Sequence, residues 1–291
     1  MGMNILFRKM TLALLFLLAL HLGAAPVRAA APKADLWSRW QMNDPSSQIR
    51  IDHSPWADFL KKFLIAGKDG ITRVAYAKVK GESRRRLDAY IGELSAAPVS
   101  RLRRAEQFAY WVNLYNALTI KVILDHYPVA SILRINISPG WFAFGPWDKK
   151  LIVIEGEKVS LNDIEHRILR PIWRDPRIHY AVNCASVGCP NVAPIPWEAE
   201  RLEAMLDKAA RDYINHPRGA HFGRWGLIVS SIFEWYAVDF GGSDAAVIQH
   251  LRKFASQALA EHLERAEEIF NHEYNWALND APSEAISGKA N

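Results

Sequence analysis

The sequence predicts an α+β fold: a helix-rich single domain packed on a small, mainly antiparallel sheet. Three observations carry that prediction. Long apolar or amphipathic segments are bounded by prolines and capping residues, as helices are. Short β-like runs beside glycine turns gather in the later half of the chain. No internal repeat and no Ser/Gly/Pro-rich linker divides the middle. Half of the residues are hydrophobic and eleven are Trp, enough for a large aromatic core.

The first 31 residues read as a secretory signal peptide. Arg8 and Lys9 precede an apolar run from Met10 to about Leu22, and Ala24, Ala25, Ala29, Ala30 and Ala31 supply small side chains for cleavage. The run is too short to span a bilayer, although an uncleaved anchor is the competing reading. Residues 32–53 form a polar lead-in, 54–280 the globular domain and 281–291 a polar tail. Export to the periplasm or outside the cell follows, with no membrane span once the leader is removed. Of the net charge of +5, Arg8, Lys9 and Arg28 account for three, leaving +2. That balance does not support a nucleic-acid footprint, and Arg84-Arg85-Arg86 reads as a solvated helix face.

Ser54 and Pro55 open a helix reaching about Ile65. A second runs from Arg84 to Leu94, and a third from Arg101 to about Tyr127, stopped by Pro128. The third is apolar nearly all round at 108–118, so it is expected to be buried on most faces. Leu151 to Ile154 reads as a strand with its turn at Glu155-Gly156-Glu157. Ser160 and Asp163 fit a capping box for a helix that stops before Pro171. Ile178 to Cys184 reads as a strand, Pro196 to about Ile214 as a helix, Trp225 to Ile232 as β, and 243–265 as a helix.

No G-x-S-x-G, P-loop, H-E-x-x-H or G-x-G-x-x-G occurs. Chemistry concentrates instead between His179 and Asn191, which holds both cysteines, Cys184 and Cys189. Backbone N–H groups in the loop before Pro190 would favour a thiolate at Cys189. A nucleophilic thiol needs a base and a group that orients it, and His166 and His179 are the candidate bases. Glu165 falls inside the stripe formed by Leu161, Ile164 and Ile168, where an unpartnered carboxylate is costly. A structural ion pair with an arginine is the plainer account of it. Asn113 and Asn116 share one face of the apolar helix and need partners, either backbone or a catalytic group. Asp239 lies in an aromatic cluster, where it could simply cap a core segment. The two cysteines could also pair in a small-loop disulfide worth about 2 kcal/mol, bind zinc with His179, or stay inert.

The segments Trp111 to Ala117, Ser160 to Arg170, Asp175 through Cys189-Pro190, Trp235-Tyr236 with Asp239-Phe240, and Tyr274 to Asn279 occur in this order. Together they resemble the family catalogued as domain of unknown function 547, found in secreted bacterial proteins among others, over roughly residues 55–280. Its motif positions here are Asn113, Asn116, Glu165, His166, His179, Cys184, Cys189 and Asp239. The resemblance implies a core similar to papain-like thiol hydrolases, although histidine precedes cysteine here, the reverse of papain's order.

The leading expectation is an exported thiol-dependent enzyme, a hydrolase or transferase acting on an amide, a peptide or a small thiol. Cys189 is its nucleophile, His166 the base, Glu165 the orienter, and Asn113 or Asn116 polarises the oxyanion. Cys184 and His179 are the alternative pair. Trp111, Tyr115, Trp235, Tyr236 and Asp239 are the expected binding residues, with no cofactor and no metal. The rival is a non-catalytic module binding a small molecule, peptide or protein, in which a Cys184–Cys189 disulfide rigidifies a loop beside an aromatic pocket. Thiol–disulfide exchange is a third reading, with the absence of C-x-x-C against it.

Overall fold

A computed structural model describes residues 31–140 and 144–282. The expected signal peptide, apart from Ala31, and most of the polar tail lie outside the described residues. Helix α1 (Ser54–Phe63) buries Trp56, Phe59, Leu60 and Phe63, one helical face. Pro55 sits in its first turn as expected, but the expected cap Ser54 is itself helical. Its N–H and hydroxyl are held by the Asp52 carboxylate at 2.8 and 3.0 Å. Strands β1 (Leu64–Ala66) and β2 (Thr72–Val74) pair antiparallel. Helix α2 (Glu82–Ser95) then leads to α3 (Arg104–His126). Every residue of α3 from Glu106 to Ile120 is buried, so the absence of a polar face in its sequence has the expected cause.

Strands β3 (Ile152–Ile154) and β4 (Glu157–Val159) form a hairpin. Its two turn residues, Glu155 and Gly156, both have positive φ, 45° and 84°. That is the turn whose twist matches paired strands. Next comes the capping box: Ser160 N–H and hydroxyl bond to Asp163 Oδ2 at 2.8 Å each, and Asp163 N–H returns to Ser160 Oγ at 3.1 Å. Replacing Ser160 by Ala is expected to cost about 1 kcal/mol, measured as a shift in the urea midpoint with unchanged slope.

The segment behind that cap is not the α-helix the periodicity suggests. Asp163–Leu169 is a π-helix, and it continues through Pro171 into α4 (Arg170–Trp173). The wider turn turns Asp163, Ile164, Glu165 and His166 all inward. Pro171 has no N–H to close the ladder behind it. The carbonyls of His166 and Arg167 accept instead from Asp35 N–H and Trp37 N–H, both at 2.9 Å. Residues 32–53 are therefore more than a polar lead-in. They complete the hydrogen bonding of the π-helix, and their short 3-10 helix (Ser38–Gln41) buries Trp40 edge-on to Trp111 at 5.0 Å.

Ile178–Cys184, read as a strand, starts with helix α5 (Ile178–Ala181). Asp175 accepts from Arg177 N–H at 2.8 Å, and Pro176 sets the turn, so the Asp-Pro pair opens a helix before the chain extends. The helix expected from Pro196 becomes α6 (Leu202–Ile214), after a 3-10 turn at Ala199–Arg201. Strands β5 (Ala220–Gly223) and β6 (Gly226–Ser230) pair antiparallel. The short α7 (Ile232–Trp235) follows. Residues 243–265 split into α8 (Asp244–Phe254) and α9 (Gln257–Leu263), because Ser256 caps a new helix by accepting from Leu259 N–H. Strand β7 (Ile269–Glu273) adds to β6 in parallel, completing a three-stranded sheet beside the two hairpins. The fold is helix-rich α+β with small, mainly antiparallel sheets. Among the described residues no helix is long and apolar enough to cross a membrane.

Two half-buried histidines tie this packing to pH. His53 bonds to Tyr90 and His250 to Tyr180, and burial lowers each imidazole to about 4. An unfolded histidine titrates near 6.5, so the unfolded chain gains the proton first as pH falls. The stabilisation is full above about pH 6.5 and is lost towards pH 4. Between about pH 7 and about pH 6 the two together should remove about 1 kcal/mol. Urea titrations of the wild type and His250→Gln measure this; equal slopes against pH would refute a role for His250.

Candidate functional site

Three elements meet in one buried polar cluster. The π-helix contributes Glu165 and His166, with Arg170 following; α5 contributes His179; and the turn after α7 contributes Tyr236 and Asp239. Arg170 donates through Nε and Nη2 to the two Asp239 oxygens at 2.6 and 3.2 Å. Its Nη1 donates to His166 Nδ1 at 3.0 Å and to the Pro32 carbonyl at 2.6 Å. His179 Nε2 bonds to Asp239 Oδ2 at 2.7 Å. The other ring nitrogen, Nδ1, is buried without a hydrogen-bond partner, 3.8 Å from Glu165 Oε1. Glu165 Oε2 accepts from Tyr115 at 2.9 Å, and the Tyr236 hydroxyl bonds to the same carboxylate. The Tyr236 ring stacks on His179 at 3.9 Å and lies under Arg170 at 4.9 Å.

The electrostatics follow from these partners. Burial opposes charge on Glu165, yet the nearby His166 and His179 and the two tyrosine hydroxyls outweigh it, so the carboxyl lies below its ordinary value. Asp239 is likewise held well below the carboxylate range: desolvation is outweighed by the bonds from His179 and Arg170. Burial pushes His166 down. With Nδ1 accepting from Arg170, its ring has the form of a neutral imidazole protonated on Nε2. Arg170 and Asp239 also border a surface cleft of about 410 Å³ that includes Arg174, Asp175 and Val238.

The cysteines lie in a second arrangement. Cys184 and Cys189 form a disulfide, with Cα atoms 6.3 Å apart, closing the loop 184–189. Ala185 in this loop has φ 59°, a left-handed conformation that costs an alanine free energy. Bonds from its N–H to Asn183 Oδ1 (2.7 Å) and from Asn279 N–H to its carbonyl (3.0 Å) hold it there. The loop zips along the final segment: Val187 N–H to the Ala277 carbonyl and Gly188 N–H to that of Asn275, both 2.8 Å. At Gly188 a Cβ would stand 2.8 Å from Asn275 N, so only glycine permits the approach. Cys184 N–H donates to Cys189 Sγ at 2.9 Å, and the Tyr274 hydroxyl lies 3.1 Å from each sulfur. Half-buried Trp235, Trp276 and Trp147 continue from Tyr274, with ring centroids 4.7–6.1 Å apart. A groove of about 420 Å³ runs beside the loop, lined by Val187, Gly188, Arg218, His221, Tyr274 and Asn275 among others.

Residues 99–214 match the family model described as Protein of unknown function, DUF547. No curated protein and no solved structure matches the chain. The DUF547 match includes both asparagines, Glu165, His166, His179 and the two cysteines, whereas Tyr236, Asp239 and Tyr274, which complete both arrangements, lie beyond it.

Set against the expectations, Glu165, His166, His179, Tyr115, Tyr236 and Asp239 do converge, but not as a cysteine triad. Glu165 faces His179 rather than orienting His166, and it pairs with tyrosines rather than with an arginine. The bonds of His166 and His179 go to Arg170 and Asp239, while those of the sulfurs go to Tyr274, Ser186 and a backbone N–H. With both sulfurs joined, neither Cys189 nor Cys184 is a free nucleophile in this state. Asn113 bonds through both amide atoms to the backbone of Trp197 at 2.9 Å, and Asn116 to Ala181 and Asn183 at 3.0 and 2.9 Å. These amides fasten loops to α3 rather than presenting an oxyanion hole. Trp111 is fully buried core and not a ligand contact. Arg170 and Tyr274 lie within the motif segments without standing out from them in sequence. The signal for Arg170 was its i+4 spacing from His166; for Tyr274 nothing local pointed to sulfur.

Proposed function

We propose that this exported protein is a ligand-binding module whose recognition surface is the groove beside the disulfide loop. The observation that carries this reading is the pairing of Cys184 with Cys189 in a loop that forms one wall of that groove. Closing the loop removes freedom that a binding surface would otherwise lose on taking up its ligand. The groove has the size of a small-molecule or short-peptide site. Tyr274 offers a ring, Arg218 a cation, and the loop backbone polar groups, a combination suited to a peptide or a small acid with an aromatic or apolar part.

The first test is alkylation of the native protein without reductant, followed by intact mass. Two unlabelled cysteines are expected; rapid labelling of one would favour a thiol enzyme instead. The second is a thermal-shift screen against short peptides and aromatic acids. Hits should raise the melting temperature of the oxidised wild type and lose that effect in Tyr274→Ala. Hits indifferent to this change would move binding elsewhere.

A further inference from the structure

We propose that Cys184 is a modification site: a soluble external thiol attacks its sulfur and remains attached to it as a mixed disulfide. The step rests on the asymmetry of the two sulfurs. Cys184 is half-buried, whereas Cys189 is only 5% exposed. The donors favour the same direction. Cys189 Sγ receives Cys184 N–H at 2.9 Å, while the Tyr274 hydroxyl is shared at 3.1 Å from each sulfur and Ser186 Oγ lies 3.2 Å from Cys184 Sγ. Ser186 donates in turn to the Tyr274 oxygen at 2.9 Å, which polarises the Tyr274 O–H towards sulfur. Burial pushes Tyr274 well above its ordinary value, so it keeps its proton and acts as a donor.

The exchange balances without an added oxidant. The incoming thiolate forms a bond to Cys184 Sγ, the Cys184–Cys189 bond breaks, and its electron pair leaves on Cys189 as a thiolate. That thiolate is the better leaving group because Cys184 N–H already faces it and the shared Tyr274 hydroxyl turns to it as charge develops. Its return attack on Cys184 expels the external thiol and restores the disulfide. If the groove is the binding surface proposed above, the modification also opens one of its walls, since Val187 and Gly188 lose the covalent closure of their loop.

The experiment uses the oxidised full-length protein with reduced glutathione, acid quenching at intervals and peptide mapping by mass. The expected adduct is one glutathionyl group on Cys184 and none on Cys189. Cys189→Ser should take that group from oxidised glutathione at Cys184, while folded Cys184→Ser should not take it at Cys189. Tyr274→Phe, checked for native near-UV dichroism, should open about tenfold more slowly, as the leaving thiolate loses a charge-assisted bond. Ser186→Ala, which keeps the Tyr274 ring and hydroxyl, should slow the step in the same direction. An adduct on Cys189, opening only in denaturant, or unchanged rates in both variants would overturn the proposal. Ligand binding by the oxidised protein is scored separately: an inert disulfide with intact binding sinks the exchange alone, and exchange without groove binding sinks only the binding reading.

Discussion

Asp239→Ala is expected to lower stability by about 3 kcal/mol, because it strands the guanidinium of Arg170 in the interior. The Arg170 side chain is 5% exposed, and Asp239 is its only carboxylate within ion-pair distance among the described residues. The change also removes the acceptor of His179 Nε2. Asp239 keeps some contact with water, which places the cost at the lower end of the range for a broken buried pair. Urea denaturation near neutral pH measures it, and a loss under 1 kcal/mol would mean that water reaches Arg170. The double change Arg170→Met with Asp239→Ala should recover part of the loss, since it no longer leaves a lone charge. The pH dependence has a definite sign. Glu165 and Asp239 are both held below their ordinary values in the fold. Their contribution is therefore complete above the unfolded carboxylate range, about 4, and disappears as pH falls below it. This window lies below the one set by His53 and His250, so Asp239→Ala should flatten the acid limb and leave the limb above pH 5 as it was.

Trp40→Ala is expected to cost about 3–5 kcal/mol, the value for removing a fully buried large ring. Trp40 is 1% exposed and packs edge-on against Trp37 and Trp111, with the Arg39 guanidinium over its own ring at 5.3 Å. The same segment supplies N–H groups to the π-helix where Pro171 has none to give, so loosening it also exposes the carbonyls of His166 and Arg167. The expected result is a single cooperative transition at a lower urea midpoint. If Trp40→Ala left the midpoint unchanged, residues 32–53 would have to be an appendage.

Much of the candidate site was legible because misplaced polarity is visible in one dimension. A carboxylate in an apolar stripe at Glu165, and paired amides at Asn113 and Asn116, had to have buried partners. The kind of partner was not legible. Asn113 meets Trp197 and Asn116 meets Ala181 and Asn183, residues 65 or more positions away along the chain. The strand expected at Ile178 failed for a local reason, the turn at Asp175-Pro176, and the α-helix expected at Ser160 failed for a distant one. Its π turn depends on backbone donors from Asp35 and Trp37.

By itself, the sequence determined the α+β class, the buried central helix, the capping box at Ser160 and the short list of residues able to do chemistry. All of these follow from side-chain period and local hydrogen bonding, which act over a few residues. Tertiary structure alone decided that Cys184 meets Cys189 beneath Tyr274, that Glu165 faces His179, and that Arg170 binds Asp239. Those pairings depend on which distant segment can satisfy a buried donor, acceptor or charge, and desolvation leaves that choice to the whole fold.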